Sequence, residues 1–595
     1  WGDDHGLEID QFAIDRIEVT KGPAALLYGS DAIGGVISLY GNYIPTTKFQ
    51  GSASLFMRSN NESVGLSARL QGAGNHFYWK ANGTFIDYAD YKVPTGSIQY
   101  YSYDIPLHNH RLRNTAVFER DGSMTFGYRS HNFHTELKLS DAYSKSGFFA
   151  NAHGLEVRLS DIDYDRSRRD IDLPYQSVNH LRVMSHTVYE QGSLALEADL
   201  AYQNNHRKEL SEPVSHGYMP VPPNSLEREF KKDTYTANLI ARLSLGSRHT
   251  LTAGFNSEYQ HNRRSGWGFI MPDFETASFG TYAFDRFTVR KDLILNAGVR
   301  YDHVRTSIHS YRDWFKTPVS ATDSVFKERS EDLRRSFNSL TWSAGVNYSV
   351  GQWILKANVG KSFRVPIPKE LGTDGVNYHI FRYEKGSPGL NPEESYQLDA
   401  GIHWGNDRVT VQFDPYLNYF PNYIYMNPTP DYYEGLQWYY YTQSRVIRWG
   451  FELQTDWKIL PSLDAELKGE YLYAEQLSGE KKGYTLPFST PWSADATLKY
   501  GFCRKKAGNE GFVALNLHVT GRQNRIVPPE KPTSGYYTIN LNAGKDFAFG
   551  DKNLRLTLNA ENLLNRKYYD HTSFYRLIDV PEPGRNVALM ATFEF

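Results

Sequence analysis

The residues that could do chemistry in this 595-residue chain gather between 363 and 398, where Asn377-Tyr378-His379 and Phe381-Arg382-Tyr383-Glu384-Lys385-Gly386 are flanked by Phe363-Arg364-Val365-Pro366 and Leu390-Asn391-Pro392-Glu393-Glu394-Ser395. An imidazole beside phenols suits haem iron, ferric ion or Zn²⁺, because borderline metals accept nitrogen and ferric iron accepts phenolate. Arg364, Tyr378, His379 and Tyr383 are therefore the candidate substrate-binding residues, with His379 as the candidate metal ligand. The plainer alternative for His379 is a solvated or hydrogen-bonding loop histidine. A second candidate is His108-Asn109-His110, since an H-x-H pair on an extended strand points both rings to one face and could share a metal. His131 and His134 differ by three residues, which on a strand sends them to opposite faces and argues against shared ligation.

Catalytic patterns are missing: there is no H-E-x-x-H and no G-x-S-x-G, so no enzymatic activity and no resident cofactor are expected. The single cysteine, Cys503, excludes a disulfide framework and reads as an incidental thiol. Net charge is −2, from 65 basic and 67 acidic residues, which gives no electrostatic case for a nucleic-acid partner.

The elements that would position these residues are strands. Aromatic residues make up 15% of the chain, 43 of them tyrosine, yet mean hydropathy is −0.56 and no apolar run reaches the length of a membrane helix. An outer-membrane barrel reconciles these facts, because alternate residues face lipid and a wet lumen while aromatic girdles sit at the interfaces. In Val409-Thr410-Val411-Gln412-Phe413 the apolar side chains fall on odd positions, and in Leu554 to Ala560 on even ones. Short turns near 247–248, 290–292, 351–352, 405–407 and 550–552 alternate with long loops near 86–124, 205–232, 303–338, 364–395, 418–446, 521–536 and 566–585. At roughly 25 residues per strand and connection this spacing predicts an all-β fold of about 22 antiparallel strands, a barrel too wide for its own side chains to fill. Ten tyrosines and tryptophans between 416 and 441 read mainly as interface anchors. Passive porin-like diffusion and a surface-binding barrel without energy coupling are the alternative functions.

The first forty residues have another character. Ile14-Asp15-Arg16-Ile17-Glu18-Val19 leads into Lys21-Gly22-Pro23, then Tyr28-Gly29, then Gly34-Gly35-Val36-Ile37. This run closely resembles the end of the plug domain in TonB-dependent outer-membrane receptors. Glu561-Asn562-Leu563-Leu564-Asn565 and Pro583-Gly584-Arg585 resemble the family's tail, and the strand ending on Phe595 resembles the C-terminal signal of assembled barrels. Within the family, the 363–398 stretch is similar to one found in haem and some zinc receptors, where two boxes bracket a ligand histidine; His379 occupies that bracketed place. Here the boxes read Phe-Arg-Val-Pro and Ser387-Pro388-Gly389-Leu390, so the substrate stays open among haem, zinc and a ferric siderophore.

The resemblance implies residues 1–40 as the end of a plug and 41–595 as a transmembrane barrel in the outer membrane of a Gram-negative bacterium. It further implies uptake of a scarce metal or metal chelate driven by TonB with ExbB and ExbD, acting through an N-terminal plug segment, with membrane lipid around the barrel and a surface lipoprotein as an open partner. The chain starts at Trp1 without a secretory signal, so a processed or partial chain is expected, with most of the plug lying before it.

Overall fold

The computed structural model describes residues 6, 8–22, 25–41, 44–100, 103–149, 167–433, 435–502 and 509–595. Trp1, Pro23 and Cys503, all weighed above, lie outside them. Among the described residues, 22 antiparallel strands close into one barrel. The seam is made by the first and last strands, Gln50–Arg58 and Asn586–Glu594, which pair from Ser52 with Glu594 to Arg58 with Ala588. Gly51 and Phe595 exchange backbone hydrogen bonds of 2.8 and 2.9 Å just beyond, so the terminal phenylalanine completes the cylinder and leaves no unpaired edge.

Alternation sets which face each residue takes. Along Gly511–Thr520, Val513, Leu515 and Leu517 are exposed on the outer wall. The intervening Asn516 and His518 instead bond Asp495 of the neighbouring strand, at 3.2 and 3.1 Å. An apolar outer band with polar partners inside is the pattern that a bilayer and a wet lumen together demand.

The expected short turns are present at 246–248, 291–292, 351–352, 406–408 and 550–551, all at one end. Gly246, Gly351 and Gly550 have φ between 59° and 66°, the left-handed backbone a tight strand reversal needs and a β-carbon resists.

The long connections are more ordered than expected. The span expected as a loop at 418–446 is a β-hairpin of strands Val409–Tyr433 and Leu436–Leu460, each 25 residues, well beyond the roughly 9–11 needed to cross a bilayer. Likewise 303–338 contains the hairpin Tyr311–Pro318 with Ser324–Ser330, and 205–232 shrinks to 211–225 between strands. Aromatic and β-branched residues continue the strand pattern above the membrane, and pairing satisfies backbone groups that a loop would leave to water.

Before the barrel, β1 (Arg16–Thr20) and β2 (Val36–Tyr40) form a separate two-stranded sheet. Its segment is tied to lumenal residues around the wall. Glu8 binds Arg207 at 2.6 Å, Asp10 accepts from Thr84 at 2.9 Å, Asp15 pairs with Arg69 at 2.6 Å, and Lys21 pairs with Glu452. Gly29 has φ 90°, and a β-carbon there would meet Arg300 at 2.9 Å, so glycine is what lets this turn approach the wall.

Candidate functional site

The long-loop end of the barrel is roofed. Val93, Ile98, Ile105 and Leu112 from one loop pack with Phe149, Tyr378, Phe381, Leu436, Ile578 and Val580 from four other regions of the chain. A second apolar cluster joins Phe230, Ile270, Met271, Phe274, Leu371 and Leu390. Together these clusters convert separate loops into a cap, and between them lies a cavity of about 350 Å³.

Its walls include Phe148, Phe230, Met271 and Tyr575, with Glu209, Arg228, Lys369, Asn377 and His379 among its polar groups. Arg228 is 3% exposed and donates to Glu209 Oε2 at 2.9 Å; Glu227 Oε1 lies 2.7 Å from its guanidinium. His379 is set by a single turn, Tyr378–Ile380, that ends on Phe381 in a left-handed conformation. Its ring stacks on Phe148 with centroids 3.9 Å apart, and Nε2 lies 3.8 Å from Glu209 Oε2. With its side chain 10% exposed, His379 is a wall of the chamber; the reading of it as a solvated loop residue does not hold. The chamber offers a π-face, an imidazole and an acid–base pair out of bulk water, where polar contacts are stronger than at an open surface.

The other sequence candidates take different places. Tyr378 packs its ring against His216, with centroids 5.2 Å apart. Arg364 forks onto both Glu370 oxygens at 3.0 and 2.9 Å and reaches Glu393 at 3.1 Å. Tyr383 is 2% exposed, donates to Asp374 and stacks on Tyr433; burial, and then the Asp374 charge, push its phenol well above the usual range. Arg364 and Tyr383 thus hold the loop that presents His379, whereas only His379 of the four lines the roof cavity.

His108 and His110 lie in a 3-10 turn, with φ positive at Asn109 and His110, and not on an extended strand. The alternation that would have aligned their rings is therefore absent. His110 Nδ1 instead meets Thr95 O at 2.7 Å. His134 stands on a strand as expected, with His131 in the turn before it.

Glu209, Arg228, Phe148 and Tyr575 were not found from sequence. Glu209 and Arg228 face each other across one pair of consecutive strands, while Phe148 and Tyr575 come from distant stretches with no local motif, so the set assembles only when the barrel closes.

The segment inside the lumen touches this roof from below. Val365 N–H donates to Ser30 Oγ at 3.0 Å, and Gln397 donates to Ile33 O, so the turn after β1 is bonded both to the box that starts the His379 loop and to the strand Glu393–Gly405 that follows it. A closed barrel with a folded segment across its lumen and a capped chamber at one mouth defines an outer-membrane receptor for uptake.

The chain belongs to the TonB-dependent receptors: the family described as TonB dependent receptor-like, beta-barrel matches residues 18–563. Members are outer-membrane transporters energised by TonB. The vitamin B12 transporter BtuB of Vibrio vulnificus is 22% identical, covering 83% of this chain and 69% of its own. The metal-pseudopaline receptor CntO of Pseudomonas aeruginosa is also 22% identical, over 98% and 81%. Among solved structures the copper transporter OprC superposes with a TM-score of 0.79 at 16% identity, over 99% of this chain and 89% of that one.

Proposed function

We propose that the capped chamber receives a metal ion or a compact metal chelate, with His379 as the metal-facing side chain and Arg228 with Glu209 as the polar clamp on the rest of the ligand. The observation that carries this reading is the burial of His379 between Phe148 and Glu209 on the wall of a 350 Å³ cavity. Neutral imidazole nitrogen binds transition metals near neutral pH, and an aromatic partner fixes the ring that presents it. Relatives named for metal-pseudopaline and copper support metal cargo, while BtuB, named for vitamin B12, supports a larger ligand.

Residues 1–40 act as the end of the plug in this reading, and 41–595 as the conduit. TonB, powered by ExbB and ExbD, pulls on the N-terminal side of that plug; the Ser30–Val365 contact carries the pull to the roof and opens the chamber inward. A lumen crossed by such contacts disfavours passive diffusion. The test is binding of zinc, haem and ferric siderophores by wild type and His379→Ala. Loss of one class identifies the cargo, and unchanged binding of all three refutes the site.

A further inference from the structure

A second set of metal donors lies on the inner wall, far from the roof. Strand Phe133–Gly147 pairs with Tyr175–Gln191, which pairs with Leu194–Leu210, and their register aligns Glu136, His186 and Asp199 in one row across the three strands. The row faces the lumen, because Arg182 on the same face as His186 reaches Glu8 of the enclosed segment while Leu137, Leu181 and Leu200 are exposed on the outer wall. His186 lies four residues beyond Arg182 toward the short-turn end, about 13 Å further along the strand. The set therefore sits below the segment's anchor at Glu8, on the periplasmic half of the wall.

His186, Glu197 and Asp199 each bring one donor atom, all within 4.8 Å of one another, and this is the one such trio among the described residues. His186 Nδ1 meets Asp199 Oδ1 at 2.6 Å, and Arg242 holds Glu197 Oε2 at 2.9 Å, which fixes that carboxylate toward the same spot. A second imidazole is close: the His134 ring lies 5.9 Å from His186, edge-on, held by Tyr78 Oη at 2.7 Å. Tyr78 itself donates to Glu136 at 2.6 Å and lies flat over Gly127, where a β-carbon would strike its ring.

We infer that His186, Glu197 and Asp199 form a lumenal site for one divalent transition-metal ion of the Zn²⁺ class, distinct from the roof chamber. One imidazole and two carboxylates are the donor types of three-ligand zinc sites that leave a fourth position open. Two donors held at about 2.0–2.2 Å by one tetrahedral ion stand roughly 3.3–3.6 Å apart, so the 2.6 Å His186–Asp199 hydrogen bond must open to admit the metal, which carboxylate rotation supplies. With no sulfur donor, the set disfavours Cu(I). Placed below the segment's anchor, it would capture an ion that has passed the roof and hold it at the exit side.

Equilibrium titration of Zn²⁺ into the purified, chelator-stripped chain in detergent tests this site without TonB, so it stands or falls separately from the uptake reading. Wild type is expected to bind one equivalent of Zn²⁺ here, over and above any held at the roof. His186→Ala and the near-isosteric Asp199→Asn are expected to lose it, and Glu197→Gln to weaken it about ten-fold. His249→Ala is the control, because His249 pairs with one carboxylate, Asp285 at 2.7 Å, stacks on Phe287, and belongs to no trio of donors among the described residues. Zinc stoichiometry and affinity unchanged in Asp199→Asn, or a loss in His249→Ala equal to that in His186→Ala, would overturn the site.

Discussion

The hydroxyl of Ser30 accepts a hydrogen bond from the backbone N–H of Val365 at 3.0 Å, joining the segment inside the lumen to the loop that carries His379. Val365 is 8% exposed, so removing the acceptor strands a shielded donor at a local cost of about 1–3 kcal/mol. Ser30→Ala should leave equilibrium ligand binding within error and slow uptake several-fold, because the roof no longer follows the plug. Parallel binding and uptake assays check this; equal losses in both would make Ser30 part of the binding site instead.

Arg364 bridges the buried Glu370 and Glu393 from a half-buried position. Arg364→Ala leaves two shielded carboxylates without their cation, a loss of about 3–5 kcal/mol in comparable buried pairs. The barrel has other strands to sustain it, so the expected effect is a loosened 365–392 loop, read as new protease cleavage there with unchanged heat stability of the barrel. Arg364→Lys should rescue only in part, since an ammonium cannot fork onto both acids.

Phe148 fixes the His379 ring by stacking at 3.9 Å. Phe148→Leu keeps an apolar wall but removes the π-face, and a ligand-binding loss of about 0.5–1.5 kcal/mol is expected. Titration of the cargo that His379→Ala identifies measures it, and an unchanged affinity would separate ring stacking from binding.

His571 in the last long loop is 2% exposed, with Thr533 Oγ1 2.8 Å from Nδ1; burial, and then Arg576, push its imidazole down to about 4 from the ordinary 6.5. Above pH 6.5 neither folded nor unfolded loop carries the proton and packing is at full strength. As pH falls from there toward about 4 the unfolded loop takes a proton that the folded one refuses, and stability drops by on the order of 3 kcal/mol. Hydrogen exchange of 562–585 should rise across this window, and His571→Gln should flatten the dependence.

The barrel was legible because its signals are local. Two-residue alternation and glycine at tight turns each follow from pairing within a few residues, and 22 strands followed from their spacing; the terminal Phe595 stood out by resemblance, and its pairing is with Gly51 at the other end of the chain. His379 stood out because Phe363-Arg364-Val365-Pro366 and Asn391-Pro392 frame it in sequence. Its burial did not, since Phe148 and Glu209 approach only after closure of the wall. His108 and His110 misled for a related reason: the H-x-H rule assumes an extended backbone, and positive φ at Asn109 and His110 breaks it. His186, Glu197 and Asp199 escaped notice because they converge by register between two strands and not by spacing in one.

Energy-coupled uptake is the central claim, and the most direct measurement follows radiolabelled metal or chelate into cells that express the protein with TonB present, with TonB deleted, and with the proton gradient collapsed. The predicted result is accumulation only in the first case, with surface binding preserved in all three. Accumulation at the same rate without TonB would contradict it and make the barrel a passive pore.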